Sequence, residues 1–237
     1  MASSSVIREI AELRNRTHVF RDRAHAGTVL AELLVEYSAS DSLVLGIPAG
    51  GVPVAAEIAR QLQTDLDVMP VSKALFPWTT EAGFGAVAFD GTEWINQDVV
   101  TYYRLSNEVV AQAIEQAREK VRRRLQRFRG NRLFPELAGR TVILIDDGVA
   151  AGSTLRAAIA AVRKHNAAHL VVATPTGHDQ AVFAIAREVD VVFCANIRGG
   201  YTFAVASAYE NWTDVTDDEV ATILGGNSVL AGQEQGN

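Results

Sequence analysis

Two kinds of segment alternate along this chain. Short β-branched, apolar runs predict strands buried on both faces at Ser42 to Ile47, Leu66 to Val71, Thr141 to Ile145, His169 to Thr174 and Val189 to Cys194. Between them, apolar positions recur every three or four residues and predict helices. These cover Phe20 to Tyr37, Val54 to Leu62, Ser106 (as cap) to Phe128, and Leu155 to His165. The stripe Val110, Ile114, Ala117, Val121, Leu125 and Phe128 is the cleanest of them. Shorter helices are predicted at Val6 to Arg16, with Ser5 as cap, at Gln97 to Tyr103 and at Asp217 to Leu224. Gly85 to Phe89 and Glu93 to Ile95 flank Asp90-Gly91 and read as a hairpin. The alternation implies a doubly wound, mostly parallel α/β sheet flanked by helices, with a small hood or hairpin. We expect one domain over residues 18–224, a helical extension over 1–17 and a disordered tail over 225–237.

Composition narrows the class. The chain has 237 residues, 48% apolar and 21% charged, enough for one domain with a substantial core. Its net charge of −6 argues against a general nucleic-acid binder and requires any anionic ligand to be met by local donors. The lone Cys194 sits among apolar neighbours and reads as a buried strand cysteine, compatible with a reducing cytoplasm. We expect a cytoplasmic location, with no signal peptide and no membrane span.

Candidate chemistry concentrates after the Thr141 to Ile145 strand. Two carboxylates, Asp146 and Asp147, are followed by the small-residue loop Gly148 to Thr154 and then a helix. In open parallel sheets, ligands bind beyond the carboxyl ends of the strands. Small residues and a helix N-terminus offer free N–H groups to an anion, and Ser153 and Thr154 add hydroxyls. Adjacent acids would repel a phosphate, so they suit sugar hydroxyls or a magnesium ion bridging phosphates. A second strand, glycine turn and helix unit occurs at Pro48-Ala-Gly-Gly-Val-Pro53. No Gly-Lys-Ser/Thr follows the main motif, and its acids precede its glycines, which excludes the Walker loop and the Rossmann fingerprint.

The run from Thr141 to Thr154 resembles the signature of type I phosphoribosyltransferases, which use phosphoribosyl pyrophosphate (PRPP). The resemblance spans roughly residues 18–220. It implies that Asp146 and Asp147 bind the ribose hydroxyls and that the loop Gly148, Ala150, Ala151, Gly152, Ser153 and Thr154 wraps the 5-phosphate. It further implies that Ala49, Gly50 and Gly51 receive pyrophosphate, often through a non-proline cis peptide, although relatives commonly carry Arg or Lys where Ala49 stands. Members acting on 6-oxopurines have an Asp at the position of Ala150, so this chain is closer there to adenine and orotate enzymes. Mg2+ is the expected cofactor, held through PRPP with no direct protein ligand set. The expected partners are PRPP and a small-molecule acceptor in a homodimer, with no membrane. A PRPP-binding regulator with little catalysis and a phosphosugar hydrolase are the competing readings.

Other residues carry two readings each. Lys73, at a strand exit, either neutralises phosphate or is solvated. Residues 74–84 lack apolar periodicity and read as a lid, in which Glu81 either stabilises the cationic sugar, contacts the acceptor or caps a turn. His178, in the turn Pro175 to Asp179, is an acceptor contact or base, against a capping role for Thr176 or Asp179. Tyr201 and Phe203, in the aromatic segment 196–212, close over a flat acceptor or form a satellite core. Arg21 and Arg23 belong to a packing face or reach a phosphate. The basic face of the long helix (Arg118, Lys120, Arg122, Arg123, Arg124, Arg127) is solvated or partner-facing, or else binds RNA, for which it lacks stacking aromatics.

Overall fold

The computed structural model describes residues 6–231, and side chains as far as residue 226. The elements in chain order are β1 (Val6–Arg8), α1 (Arg23–Leu33), β2 (Leu43–Gly46), α2 (Gly51–Leu62), β3 (Asp65–Val68), β4 (Val71–Leu75), β5 (Gly83–Ala88), β6 (Glu93–Ile95), α3 (Gln97–Tyr102), α4 (Asn107–Arg129), β7 (Thr141–Ile145), α5 (Ser153–Lys164), β8 (His169–His178), α6 (Asp179–Ile185), β9 (Val191–Arg198) and α7 (Asp217–Ala231). Six strands form one all-parallel sheet in the order β1-β9-β8-β7-β2-β3, and β4, β5 and β6 form a separate antiparallel sheet. This is the doubly wound α/β fold with a small hood that the alternation predicts.

Continuous apolar runs make the main sheet because both of its faces are covered. Along β7, Ile143 and Ile145 enter one core with α1 and α2, while Val142 and Leu144 enter the other with α5. Strand alternation thus splits a single five-residue run between two cores. The hood has its own core of Phe76, Phe84, Val87, Ala113 and Ile114, which seats it on α4. No helix among the described residues is long and apolar enough to cross a membrane.

Strand order decides where a ligand can sit. From β2 the chain steps through α2 to β3 on one side, whereas β7 lies on β2's other side and winding continues outward through β8 and β9. The order reverses between β2 and β7, so the loops after these two strands open into one crevice. Their ends are level, with Gly46 opposite Ile145.

Five local expectations are corrected. Val6 to Arg16 is not a helix: β1 pairs with β9 and a single 3-10 turn, Ala11–Leu13, follows. The open edge of β9 explains this, since it recruits Ile10 N–H to Ala195 and Asn15 N–H to Ile197. Leu66 to Val71 is not one strand. Pro70, lacking an N–H, separates β3 in the main sheet from β4 in the hood. The predicted lid over 74–84 is shorter, because both its ends belong to hood strands and Phe76 packs on Phe84. Pro175 to Asp179 is not a turn, since β8 runs through Pro175 to His178, and α6, unforeseen, begins at Asp179. Finally, α7 continues past Leu224 to Ala231, because Val220 and Leu224 bury against Val52 and Phe128 and anchor it. Residues 232–237 of the expected tail, and Ser5, lie outside the described residues.

Candidate active site at the β2–β7 crevice

Asp146 is the first residue beyond β7 and its carboxylate is held at both ends. Oδ1 accepts from the Asp147 N–H at 3.0 Å and Oδ2 from the Thr154 hydroxyl at 3.4 Å. Burial pushes its pKa well above the ordinary carboxylate value. The neighbouring Asp147 charge pushes the same way, and Lys73 opposes them.

Asp147 has a different environment. Arg23 Nε donates to Oδ2 at 2.8 Å, and both side chains are largely buried. Arg23 also donates to the Thr213 carbonyl at 2.7 Å and lies over the Trp212 ring at 3.9 Å. The Tyr209 hydroxyl donates to the Asp147 carbonyl at 2.6 Å. Burial raises the Asp147 pKa, and Arg23 works against that rise. Burying a lone carboxylate costs several kcal/mol, and this guanidinium offsets part of that cost. Arg23 reaches the site because Asp22 caps α1, accepting from the His25 N–H at 2.8 Å, which sets the first turn of the helix against the crevice.

The loop after Asp147 is built from small residues and leads straight into a helix. Val149 pairs with Gly177 on β8, which pins the loop's start, and Val205 packs against Gly148. Gly152 takes the left-handed conformation, φ 78°, and turns the chain into the twelve-residue α5. Ala150 and Ala151 are exposed, and Ser153, the first helical residue, is buried. Among the described residues the amides of Ala150, Ala151 and Gly152 donate to no protein group. The amides of Ser153 and Thr154 open the helix, where no preceding carbonyl can serve them. Five successive donors at a helix N-terminus can serve an oxyanion.

The loop after β2 lies directly alongside. The Ile47 N–H donates to the Ile145 carbonyl at 2.8 Å, and the Pro48–Ala49 peptide is cis, as the resemblance implies. Gly50 stands so close to Asp147 that a Cβ there would overlap its carboxylate, and one at Gly51 would meet the Ile145 carbonyl. Arg124 Nη1 donates to the Pro48 carbonyl at 3.1 Å while pairing with Asp217 at 2.9 Å.

The remaining candidates fall in two groups. Lys73, on β4, is exposed. Its Nζ lies 3.4 Å from the Glu81 carbonyl, and its charge acts on Asp146. The Glu81 side chain is exposed on the hood loop and is not among the partners of Asp146 or Asp147. At the far end of β8, His178 sits edge-on to Phe203 with ring centroids 5.6 Å apart, and its Nε2 lies 3.1 Å from the Gly200 carbonyl. Phe203 is also covered by Arg198, itself buried at the end of β9. Tyr201 is fully exposed and makes no ring contact among the described residues.

Sequence reasoning underweighted Arg23, Arg124, Tyr209 and Trp212. Arg23 and Arg124 act on residues 124 and 76 positions away along the chain, and no local pattern marks such pairings. On the outer face of α4, Arg118 and Arg122 are engaged by Glu93, Glu115 and Glu119, so much of its charge is neutralised. This favours a solvated face over a nucleic-acid surface. Among the described residues no three His, Cys, Asp or Glu side chains gather as a metal site.

The comparisons with known proteins agree with this geometry. The phosphoribosyl transferase domain family matches residues 21–208. Two Mycobacterium tuberculosis proteins, from strains H37Rv and CDC 1551 and both named "Putative phosphoribosyl transferase", are 39% identical over 206 residues, which is 87% of this chain and 46% of theirs. The chain therefore spans about half the length of those relatives. The crystal structure of TT1426 from Thermus thermophilus superposes with a TM-score of 0.70 at 35% identity, covering 86% of this chain and 97% of that one. With the acid pair and small-residue loop in place at the sheet's switch point, the chain belongs to the phosphoribosyltransferase family.

Proposed function

We propose that this chain transfers the 5-phosphoribosyl group of PRPP to a nucleophilic small-molecule acceptor with release of pyrophosphate. One observation carries the reading: a buried acid pair and a run of free amides share the carboxyl edge of one parallel sheet, with a second glycine loop in contact with the pair. In this reading those amides and the Ser153 and Thr154 hydroxyls hold the 5-phosphate. Asp146 and Asp147 hold the ribose hydroxyls, and Ala49 to Gly51 face pyrophosphate. The bond between the anomeric carbon and pyrophosphate breaks, a bond to the acceptor's nucleophilic atom forms, and the acceptor's displaced proton leaves to solvent or to a nearby base. Lys73 offsets the negative charge of pyrophosphate, and the 76–82 segment with Glu81 shields the cationic sugar from water.

Asp146 and Asp147 offer only two carboxylates, one of them paired with Arg23, which fits a magnesium ion held mainly by PRPP oxygens. When bound, that ion neutralises the departing pyrophosphate. His178 and Phe203, adjacent on the β8–β9 side, are proposed to face the acceptor; Tyr201, exposed on the same segment, joins them only if that segment closes. A homodimer and a cytoplasmic location complete the proposal, by family resemblance and by the lone buried cysteine.

The test is magnesium-dependent pyrophosphate release from PRPP across a panel of acceptors. Replacing Asp146 and Asp147 together by Asn is expected to abolish PRPP binding, and unaltered affinity would refute the ribose contact. A PRPP-binding regulator is the second reading, favoured by Ala49, which leaves the pyrophosphate loop without its own cation. PRPP binding with no turnover on any acceptor would select it.

A further inference from the structure

Ala49 leaves the loop after β2 without a charge, yet the surrounding elements bring cations to it. Arg124 reaches the Pro48 carbonyl at 3.1 Å and the Val71 carbonyl at 3.5 Å, which places this face of α4 over the loop and the start of β4. Lys120 lies one helical turn before Arg124, on the same face. Lys73 lies two residues beyond Val71 on β4, and two strand residues advance about as far as one helical turn. Lys73 shares its strand face with Val71 and Ala86, which join the main core, while α4 packs on the opposite face with Ala74, so the two lysines stand on either side of the outer hood strand β4, and the Lys73 charge also acts on Asp146.

Arg124 is matched by Asp217, whereas no carboxylate forms an ion pair with Lys73, Lys120 or Arg123 among the described residues. Lys120 is open to solvent, but the protein around it and the charges of Arg124, Arg123 and Lys73 draw its pKa below the ordinary lysine range, with Asp217 opposing. Several cations held close together without counter-charges make a place where a polyanion is favoured.

We infer that Lys120, with Lys73, binds the pyrophosphate group of PRPP beside the Ala49 to Gly51 loop, supplying from α4 the charge that the loop lacks. The inference rests on the transferase reading and deepens it. It moves Lys120 from the solvated face of α4 into the site. It also gives the site an anion grip divided between two sheets, since Lys73 belongs to the hood and Ala49 to the main sheet.

The experiment is calorimetric titration of the full chain with magnesium pyrophosphate, PRPP and ribose 5-phosphate, for wild type, Lys120→Gln, Lys120→Arg and Arg122→Gln. Lys120→Gln is expected to weaken pyrophosphate and PRPP by about tenfold or more, the range for one lost charged hydrogen bond, and to leave ribose 5-phosphate unchanged. Lys120→Arg should recover most of the loss. Arg122→Gln, on the outer face that Glu115 and Glu119 already neutralise, should bind all three as wild type does. Unchanged pyrophosphate affinity in Lys120→Gln, or an equal loss for ribose 5-phosphate, overturns the inference while leaving the transferase reading intact. Wild-type protein that binds neither PRPP nor ribose 5-phosphate overturns both.

Discussion

Asp146 and Asp147 are neighbours in the chain with opposite environments. Asp147 faces Arg23, whereas Asp146 faces the Thr154 hydroxyl, a backbone amide and the negative charge beside it. A carboxyl whose folded-state pKa lies above its unfolded value holds its proton more readily when folded. Its ionisation then costs stability at high pH, and the cost is relieved as pH falls through the raised value towards the ordinary carboxylate range. Asp146→Asn should therefore be more stable than wild type above that window, and the difference should shrink as the pH is lowered. Urea unfolding of both proteins across a pH series measures it, and a difference independent of pH would show that Asp146 is not raised. At this scale the sequence was informative about residue identity and silent about pairing. The acids and the small loop are contiguous, so spacing revealed them. Arg23 offers only a helix-capping Asp22 before it, which says where α1 starts and nothing about what its first turn touches.

Elements meet most tightly where the loops after β2 and β7 touch. The Ile47 amide bonds to Ile145, and Gly50 leaves no room between its Cα and the Asp147 carboxylate. That carboxylate cannot easily withdraw, because Arg23 holds it at 2.8 Å and is itself held by Thr213 and Trp212. Gly50→Ala should force the two loops apart, destabilising the fold by about 1–3 kcal/mol, the usual cost of an added methyl in a packed site. PRPP affinity should fall with it by at least about tenfold, since both loops hold the ligand. Thermal unfolding and PRPP titration of this variant provide the check. Wild-type affinity would mean that the two loops act independently. Boundaries were harder to read at this scale than the elements themselves. The β7 and α5 runs announce themselves by length and period. The β3–β4 break at Pro70 and the course of β8 through Pro175 depend on which sheet each strand joins, a choice the local pattern does not contain.

Across the whole molecule, the two cores on the faces of the main sheet make Cys194 a reporter of cooperative opening. It is fully buried in β9, and burial pushes its thiol pKa far up, so the native protein should offer almost no thiolate. A thiol reagent should label it only as the protein opens, and PRPP at about 100 times its Kd should slow labelling about a hundredfold, the stabilisation expected for a ligand of the folded state alone. Labelling that PRPP does not slow would mean that β9 opens without disturbing the crevice. Fold class and the place of the candidate site were legible in the sequence because each rests on contiguous residues: apolar runs long enough to need cover on both faces, and an acid pair leading straight into a small-residue loop. The tertiary structure alone decided what neutralises Asp147, what lies over Ala49, and that Val6 to Arg8 is a strand rather than a helix. Those outcomes depend on which distant groups the strand order brings within a few ångströms, and hydrogen bonds and charges respond to distance in space rather than to separation along the chain.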